Sequence, residues 1–183
     1  MRMKNKEYGL LRKSGDAGFS DLFSGEKISK ASLRLDAIGE LDELGCVIGI
    51  AKLYVNSKFH SEFLQIQRTL FVIGSEIATL GKLSGKLPGK IDSLQLKWLE
   101  SLIEKFLKTT KLPKGFILSG STPSSSYLHL ARAVTRRCER RLVLLYQKKQ
   151  IKNKNILAFM NRLSVYFFVL SVWHDKSPIL VKK

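Results

Sequence analysis

Phe59, Phe63, Ile66, Leu70, Ile73, Ile77 and Leu80 follow one another at steps of four and three residues. An α-helix turns about 100° per residue, so this spacing gathers all seven side chains into one narrow apolar stripe. A strand would scatter them over both faces. A stripe of this kind is buried only when another helix lies along it at a shallow angle, which makes the segment one member of a bundle. The preceding stretch carries Ile38, Leu41, Leu44, Ile48, Ala51 and Val55 in the same rhythm, and Asn56-Ser57 joins the two as antiparallel neighbours.

Further along, Gly, Lys and Pro between Gly81 and Lys90 break the pattern. Asp92 followed by Gln95 predicts a capping box opening a third helix with Leu99, Leu102 and Phe106. Thr122-Pro123 opens a fourth, to about Gln147, with Tyr127, Leu130, Val134, Cys138, Leu142 and Leu145 on one face. A fifth, from about Asn153 to His174, buries Ile156, Met160, Leu163, Phe167 and Leu170. Residues 10–34 read as a loop, broken by Gly15, Gly18 and Gly25 and rich in turn formers. No strand alternation competes. The expected fold is an all-α five-helix bundle with an N-terminal loop.

The chain has 183 residues, 44% of them hydrophobic, enough for one domain with a sizeable core. We take 1–183 as that single helical domain, with its core at 10–174. Such a composition excludes a disordered basic tail. No apolar run approaches the ~18 residues of a spanning helix, so no membrane association is expected. Cys46 and Cys138 match no metal spacing and read as small buried hydrophobes. Reduced thiols and an N-terminus without an apolar signal core point to the cytoplasm. The net charge of +17 raises nucleic acid as a partner, with nine Lys and Arg but only Glu139 on the acidic side between Arg132 and Lys154. Aromatic side chains for base stacking are not interleaved there, so no nucleic acid partner is expected.

On the fourth helix, Arg132, Arg136 and Arg140 stand four apart, with Glu139 and His129 near the same azimuth. Aligned arginines repel one another unless an anion or carboxylate lies between them, and their planar forks suit phosphate and carboxylate oxygens. An exposed, solvated helix face is the plainer account of the stripe. SGDAG (Ser14 to Gly18) and LFSGEKISK (Leu22 to Lys30) bring backbone N–H groups together with Lys13, Lys27 and Lys30, an arrangement suited to an anion. It is not a Walker A loop, having no GK[ST] triplet. Asp42 lies off the apolar stripe of the first helix, free to pair with an arginine of another helix. Asn161 and Arg162 interrupt the apolar fifth helix.

Read in order, SGDAG, LFSGEKISK, RLDAIGELDELGCVIGIA (Arg34 to Ala51), FILSGS (Phe116 to Ser121), LHLARAVTRRCERRL (Leu128 to Leu142) and NRLSVYFF (Asn161 to Phe168) resemble the PduO-type ATP:cobalamin adenosyltransferases. The resemblance runs over about residues 10–173, and its most specific part is the arginine helix with the following NRLS. It implies a five-helix bundle assembled as a homotrimer with sites between subunits. The implied reaction moves the 5′-deoxyadenosyl group of ATP to the cobalt of cob(I)alamin, giving adenosylcobalamin and triphosphate, with Mg²⁺ as cofactor. By position, Arg12, Lys13, Ser14, Gly15, Asp16, Gly18, Lys27 and Lys30 would wrap the ATP, with Arg136, Glu139 and Asn161 reaching the nucleotide. Glu139 would also meet the metal. Arg132 would pair with Asp42 across the interface, both on the cobalamin side, and Phe116 would press on the lower face of the corrin ring. Arg136, Arg132, Asp42 and Phe116 are then the catalytic set. A cobalamin reductase or an adenosylcobalamin-dependent enzyme would be the protein partner.

Several positions depart from the family pattern. Ala17 stands for the usual lysine of GDKG, Arg12 for a threonine, and Ser119 and Ser121 for the proline and second glycine of FILPGG. Ile38 replaces a tyrosine, Gly45 an asparagine, and Val165 the aspartate of NRLSD. Ala17 and Val165 motivate the rival expectation of a non-catalytic relative that binds ATP or cobalamin as carrier or regulator.

Overall fold

The computed structural model describes residues 15–80, 89–175 and 178–181. Ser32 opens the first helix, α1 (Leu33–Tyr54), its hydroxyl accepting from Leu35 N at 3.3 Å. Leu41, Leu44, Ile48, Ala51 and Val55 are buried as the spacing requires, joined by Ala37 and Val47. Ile38 is only half-buried, because it lies at the rim of a cavity. Asn56 then caps a 3-10 turn at Ser57–Phe59, which shortens the second helix to α2 (His60–Ile77). Phe63, Ile66, Leu70, Ile73 and Ile77 all face inward from it.

The expected capping box forms at α3 (Ser93–Leu107). Leu94 N donates to Asp92 Oδ1 at 2.6 Å, and Asp92 N donates to Gln95 Oε1 at 3.0 Å. Thr122 and Ser125 cap α4 (Pro123–Gln147) in the same reciprocal way. Its buried face differs by one position from the expectation. Leu130 is 45% exposed, and Leu128 and Ala131 are buried instead. α5 (Lys154–Asp175) completes the set.

Among the described residues the five helices form one core, with α4 against both α5 and α1, α3 on α5, and α2 on α1. Contrary to the expectation for apolar runs, α5 has the length and mean hydropathy (1.6) of a spanning helix, yet most of that stretch is buried inside the bundle. Arg34 knots the assembly where three segments meet. It is 7% exposed and donates to the carbonyl oxygens of Ile77 and Gln150, the latter at 2.9 Å. On the surface, Arg137 pairs with Glu40 at 2.7 Å and with Glu43, and Arg141 with Asp36 at 3.0 Å, tying α4 to α1. At one end Phe59, Phe106 and Trp173 meet edge to face at 5.4–5.8 Å, with Lys58 Nζ 5.1 Å from the Trp173 indole.

The N-terminal segment is not a plain loop. Strands β1 (Phe19–Asp21) and β2 (Lys27–Ser29) pair antiparallel, turning through Gly25 at φ 90°. Three residues are too few for alternation to show in sequence. A second pairing joins Phe116–Leu118 to the chain's end. Leu118 N donates to Ile179 O and Val181 N to Phe116 O, each at 2.8 Å. The cysteines divide: Cys138 is buried and its thiol is pushed up to about 12 by desolvation, whereas Cys46 is exposed on the outer side of α1.

Candidate functional site

The hairpin folds over the start of α1 because Lys30 N donates to Gly18 O at 2.8 Å, and Gly18, at φ 80°, turns its N–H back to Gly15 O at 3.3 Å. The turn brings the Lys30 ammonium against Gly15, where even a β-carbon would lie 3.1 Å from Nζ. Asp16 and Lys27 are exposed, and the Lys27 ammonium sits 5.6 Å from the Phe19 ring. Arg12, Lys13 and Ser14 lie outside the described residues.

Under the hairpin, α1 and α2 line an open cavity of about 650 Å³. Its lining is mainly apolar, with Phe23, Ile38, Leu41 and Phe71, and its charged members are Lys30 and Asp42. Three glycines, Gly39, Gly45 and Gly74, form part of the wall, and a β-carbon at any of them would meet open space. Gly45 is held by Gln67, whose Nε2 donates to its carbonyl at 2.9 Å. Asp42 is exposed and has no ion-pair partner among the described residues.

The other charged group lies on α4 and α5, and none of its residues lines the cavity. Asn161 Nδ2 donates to Glu139 Oε1 at 3.2 Å, and Arg162 donates to Asn161 Oδ1 at 3.1 Å while holding Glu100 at 3.0 Å. Arg136 and Arg140 are exposed one turn apart, with Arg140 Nη1 donating to the Arg136 carbonyl at 3.1 Å. Arg132 is half-buried, and its Nε has no hydrogen-bond partner among the described residues. The structure therefore joins Glu139, Asn161, Arg136 and Arg132 along one face. It leaves Asp42 and Lys30 at a different one.

Phe116 is 88% exposed, and its backbone is held by the pairing with Val181. Arg137 and Arg141 are engaged by acids of α1 while remaining partly exposed.

Sequence reasoning missed the cavity wall, because it is made by the distance between two helices rather than by a motif. It also missed the burial of His129 (4% exposed) and Asp175 (7% exposed). The placement of His129 near the arginine stripe was the one available signal.

A glutamate and an asparagine in contact, on the same face as arginines that meet no acid among the described residues, can hold a polyphosphate and a divalent cation. An apolar cavity with one carboxylate suits a large, flat organic group. The sequence matches the cobalamin adenosyltransferase family over residues 10–174. It is 35% identical to the corrinoid adenosyltransferase of Bacillus subtilis (strain 168) over 164 residues, 87% of this chain and 82% of that one. It is 39% identical to the corrinoid adenosyltransferase MMAB of Homo sapiens over 170 residues, 88% of this chain and 67% of that one. Among solved structures, a variant PduO-type ATP:corrinoid adenosyltransferase from Lactobacillus reuteri, complexed with cobalamin and ATP, superposes with a TM-score of 0.85 at 32% identity. That match covers 94% of this chain and 98% of the other.

Proposed function

The chain belongs to the cobalamin adenosyltransferase family, and we infer that it moves the 5′-deoxyadenosyl group of ATP onto the cobalt of cob(I)alamin. The observation that carries this reading is the family match over residues 10–174, which includes Arg136 and the hydrogen-bonded Glu139 and Asn161. In the step itself, the cobalt(I) electron pair attacks C5′, the C5′–O bond breaks, and triphosphate leaves with the bonding electrons. The metal is already a strong nucleophile, so the protein supplies position and charge compensation rather than a base. Arg136 faces the departing triphosphate, and the turn at Gly15–Gly18 with Lys27 and Lys30 holds the other side of the nucleotide. Asn161 orients it. Phe116 excludes water from the lower face of cobalt, favouring a four-coordinate Co(II) state that is easier to reduce.

Magnesium fits this arrangement in a limited way. Among the described residues no three His, Cys, Asp or Glu gather into a cage. Mg²⁺ characteristically takes one or two carboxylates and completes its shell with water and substrate phosphates. Glu139, with Oε1 engaged by Asn161, offers Oε2 for that purpose. When bound, the ion would neutralise charge on the phosphate oxygens.

We propose that the chain assembles as a homotrimer, as the resemblance implies. Asp42 and Lys30 lie on one face and Arg132 and Arg136 on another, which supports a site shared between neighbouring chains. Phe71 at 72% and Leu53 at 73% exposure are large apolar side chains suited to burial in such contacts. We place the enzyme in the cytoplasm, as a single catalytic domain supplied with reduced corrinoid by a reductase or serving an adenosylcobalamin-dependent enzyme.

The deciding experiment is an anaerobic assay with ATP, Mg²⁺ and chemically reduced cobalamin. The spectrum of adenosylcobalamin should develop, and light scattering should give the mass of three chains. No spectral change with folded protein would sink the reaction, and a monomer would sink the shared site.

A further inference from the structure

Ser24 sits at the tip of the β1–β2 hairpin. Gly25 N donates to Leu22 O at 2.9 Å and Leu22 N to Glu26 O at 2.8 Å, with Gly25 at φ 90°. The tip is thus a short turn whose glycine takes the left-handed position. This turn leaves the half-buried Ser24 hydroxyl between two groups. It accepts from Leu80 N at 3.0 Å, and it donates to the Glu26 carboxylate. Leu80 follows the end of α2, so the bond crosses from the hairpin to another part of the fold. Among the described residues no other hydrogen bond joins residues 19–29 to α2 or the segment after it.

The two sides of this bond differ in stiffness. A hairpin with three residues in each strand is marginal by itself, so its position is set by what it touches. Leu22, 5% exposed, gives it one apolar anchor. The end of α2 is held far more firmly. Ile77 O accepts from the buried Arg34, Glu76 takes Asn153 Nδ2 at 2.9 Å and Ile91 N at 3.3 Å, and Ala78 N returns to Gly74 O at 2.8 Å. Ser24 therefore ties a soft element to a hard one. The tie lies at the rim of the cavity, since Phe23 beside Ser24 and Ala78 close to Leu80 both line it, as does Lys30 at the end of the hairpin.

We propose that Ser24 is a positioning residue for the nucleotide: its bond to Leu80 N holds the hairpin over the cavity mouth and so fixes Lys27 and Lys30 where the phosphates arrive. Glu26 takes the hydroxyl proton, which leaves an oxygen lone pair for the Leu80 N–H. Without the hydroxyl, Leu80 N–H turns to water and the hairpin samples positions away from α2. Affinity for ATP then falls in proportion to the time the hairpin spends in place.

This inference rests on the proposed use of ATP, so one arm of its test needs no substrate. In the substrate-free protein, hydrogen exchange should find Leu80 N–H protected, and Ser24→Ala should expose it while Ala78 N–H stays protected. Rapid exchange at Leu80 in the wild-type protein would overturn the tie, whatever the enzyme does. In Ser24→Ala, the Kd for ATP by calorimetry and the KM for ATP should both rise about fivefold, as for one lost hydrogen bond, with kcat at saturating ATP within about twofold. Ser24→Thr, which keeps the hydroxyl, should stay within about twofold of wild type throughout. Unchanged ATP constants in Ser24→Ala, with or without a lower Tm, would overturn the proposal, and so would an equal loss in Ser24→Thr. A wild-type chain that binds ATP without adenosylating cobalamin would sink the reaction alone, and the Kd comparison would still decide for or against Ser24. One that binds no ATP would sink both.

Discussion

Arg136 illustrates how little a side chain proposed to hold a triphosphate reveals in a single chain. It is exposed, its carbonyl serves Arg140, and nothing acidic pairs with it among the described residues. Such a guanidinium costs the protein nothing to keep ready for an anion. Arg136→Ala should lower turnover by about 10²–10³, the scale for losing one oxyanion donor, with unchanged helix content by circular dichroism. Near-normal turnover would move the triphosphate elsewhere. Phe116 is the counterpart proposed for the corrin side. Phe116→Ala should leave ATP affinity intact, slow adenosylation sharply when Co(II) must be reduced on the enzyme, and slow it less when Co(I) is supplied. The bound Co(II) corrinoid should also lose its four-coordinate spectrum, and retention of that spectrum would contradict the role. Two departures from the family pattern have gentle settings. Val165 is 38% exposed, so the missing carboxylate is lost from the surface, and Gly45 opens a cavity wall.

At the scale of elements, caps and periodicity are local, and they carried the helices from sequence to structure. Asp92 with Gln95 and Thr122 with Pro123 mark the starts of α3 and α4 because the bonds they make reach only a few residues. Replacing Asp92 with alanine should therefore cost about 1 kcal/mol, read as a lower urea midpoint at constant m-value. A shift under a few tenths would mean that packing alone sets the helix start. What the sequence concealed depends on partners distant along the chain. Leu130 and Ala131 differ by one helical step, and the helices packed on α4 decide which is buried. The β1–β2 pair is too short to alternate. The motif blocks exposed the arginines, Glu139 and Asn161 as a set, yet the Glu139–Asn161 contact needs α4 and α5 side by side. His129 meets Phe168 for the same reason, and no motif joins them.

For the whole molecule, acid is the informative variable. Burial pulls both His129 and His174 below the ordinary imidazole value, so the unfolded chain binds protons more readily than the folded one. Their contribution to stability is complete above about pH 6.5 and is lost as pH falls through the folded values. Tm should drop between pH 7.5 and 5.5, and His129→Gln should flatten that slope. A Tm independent of pH in this window would mean that both rings titrate freely. The aromatic end of the bundle offers a way to watch these events. Trp173 lies two residues before Asp175, packed against Phe59 and Phe106 and next to His174. Its emission wavelength is set by whether that end of α5 remains dry. With only Trp98 as a second indole, a Trp98→Phe background turns the chain into its own fluorescent reporter, in which a red shift marks water reaching that end of α5.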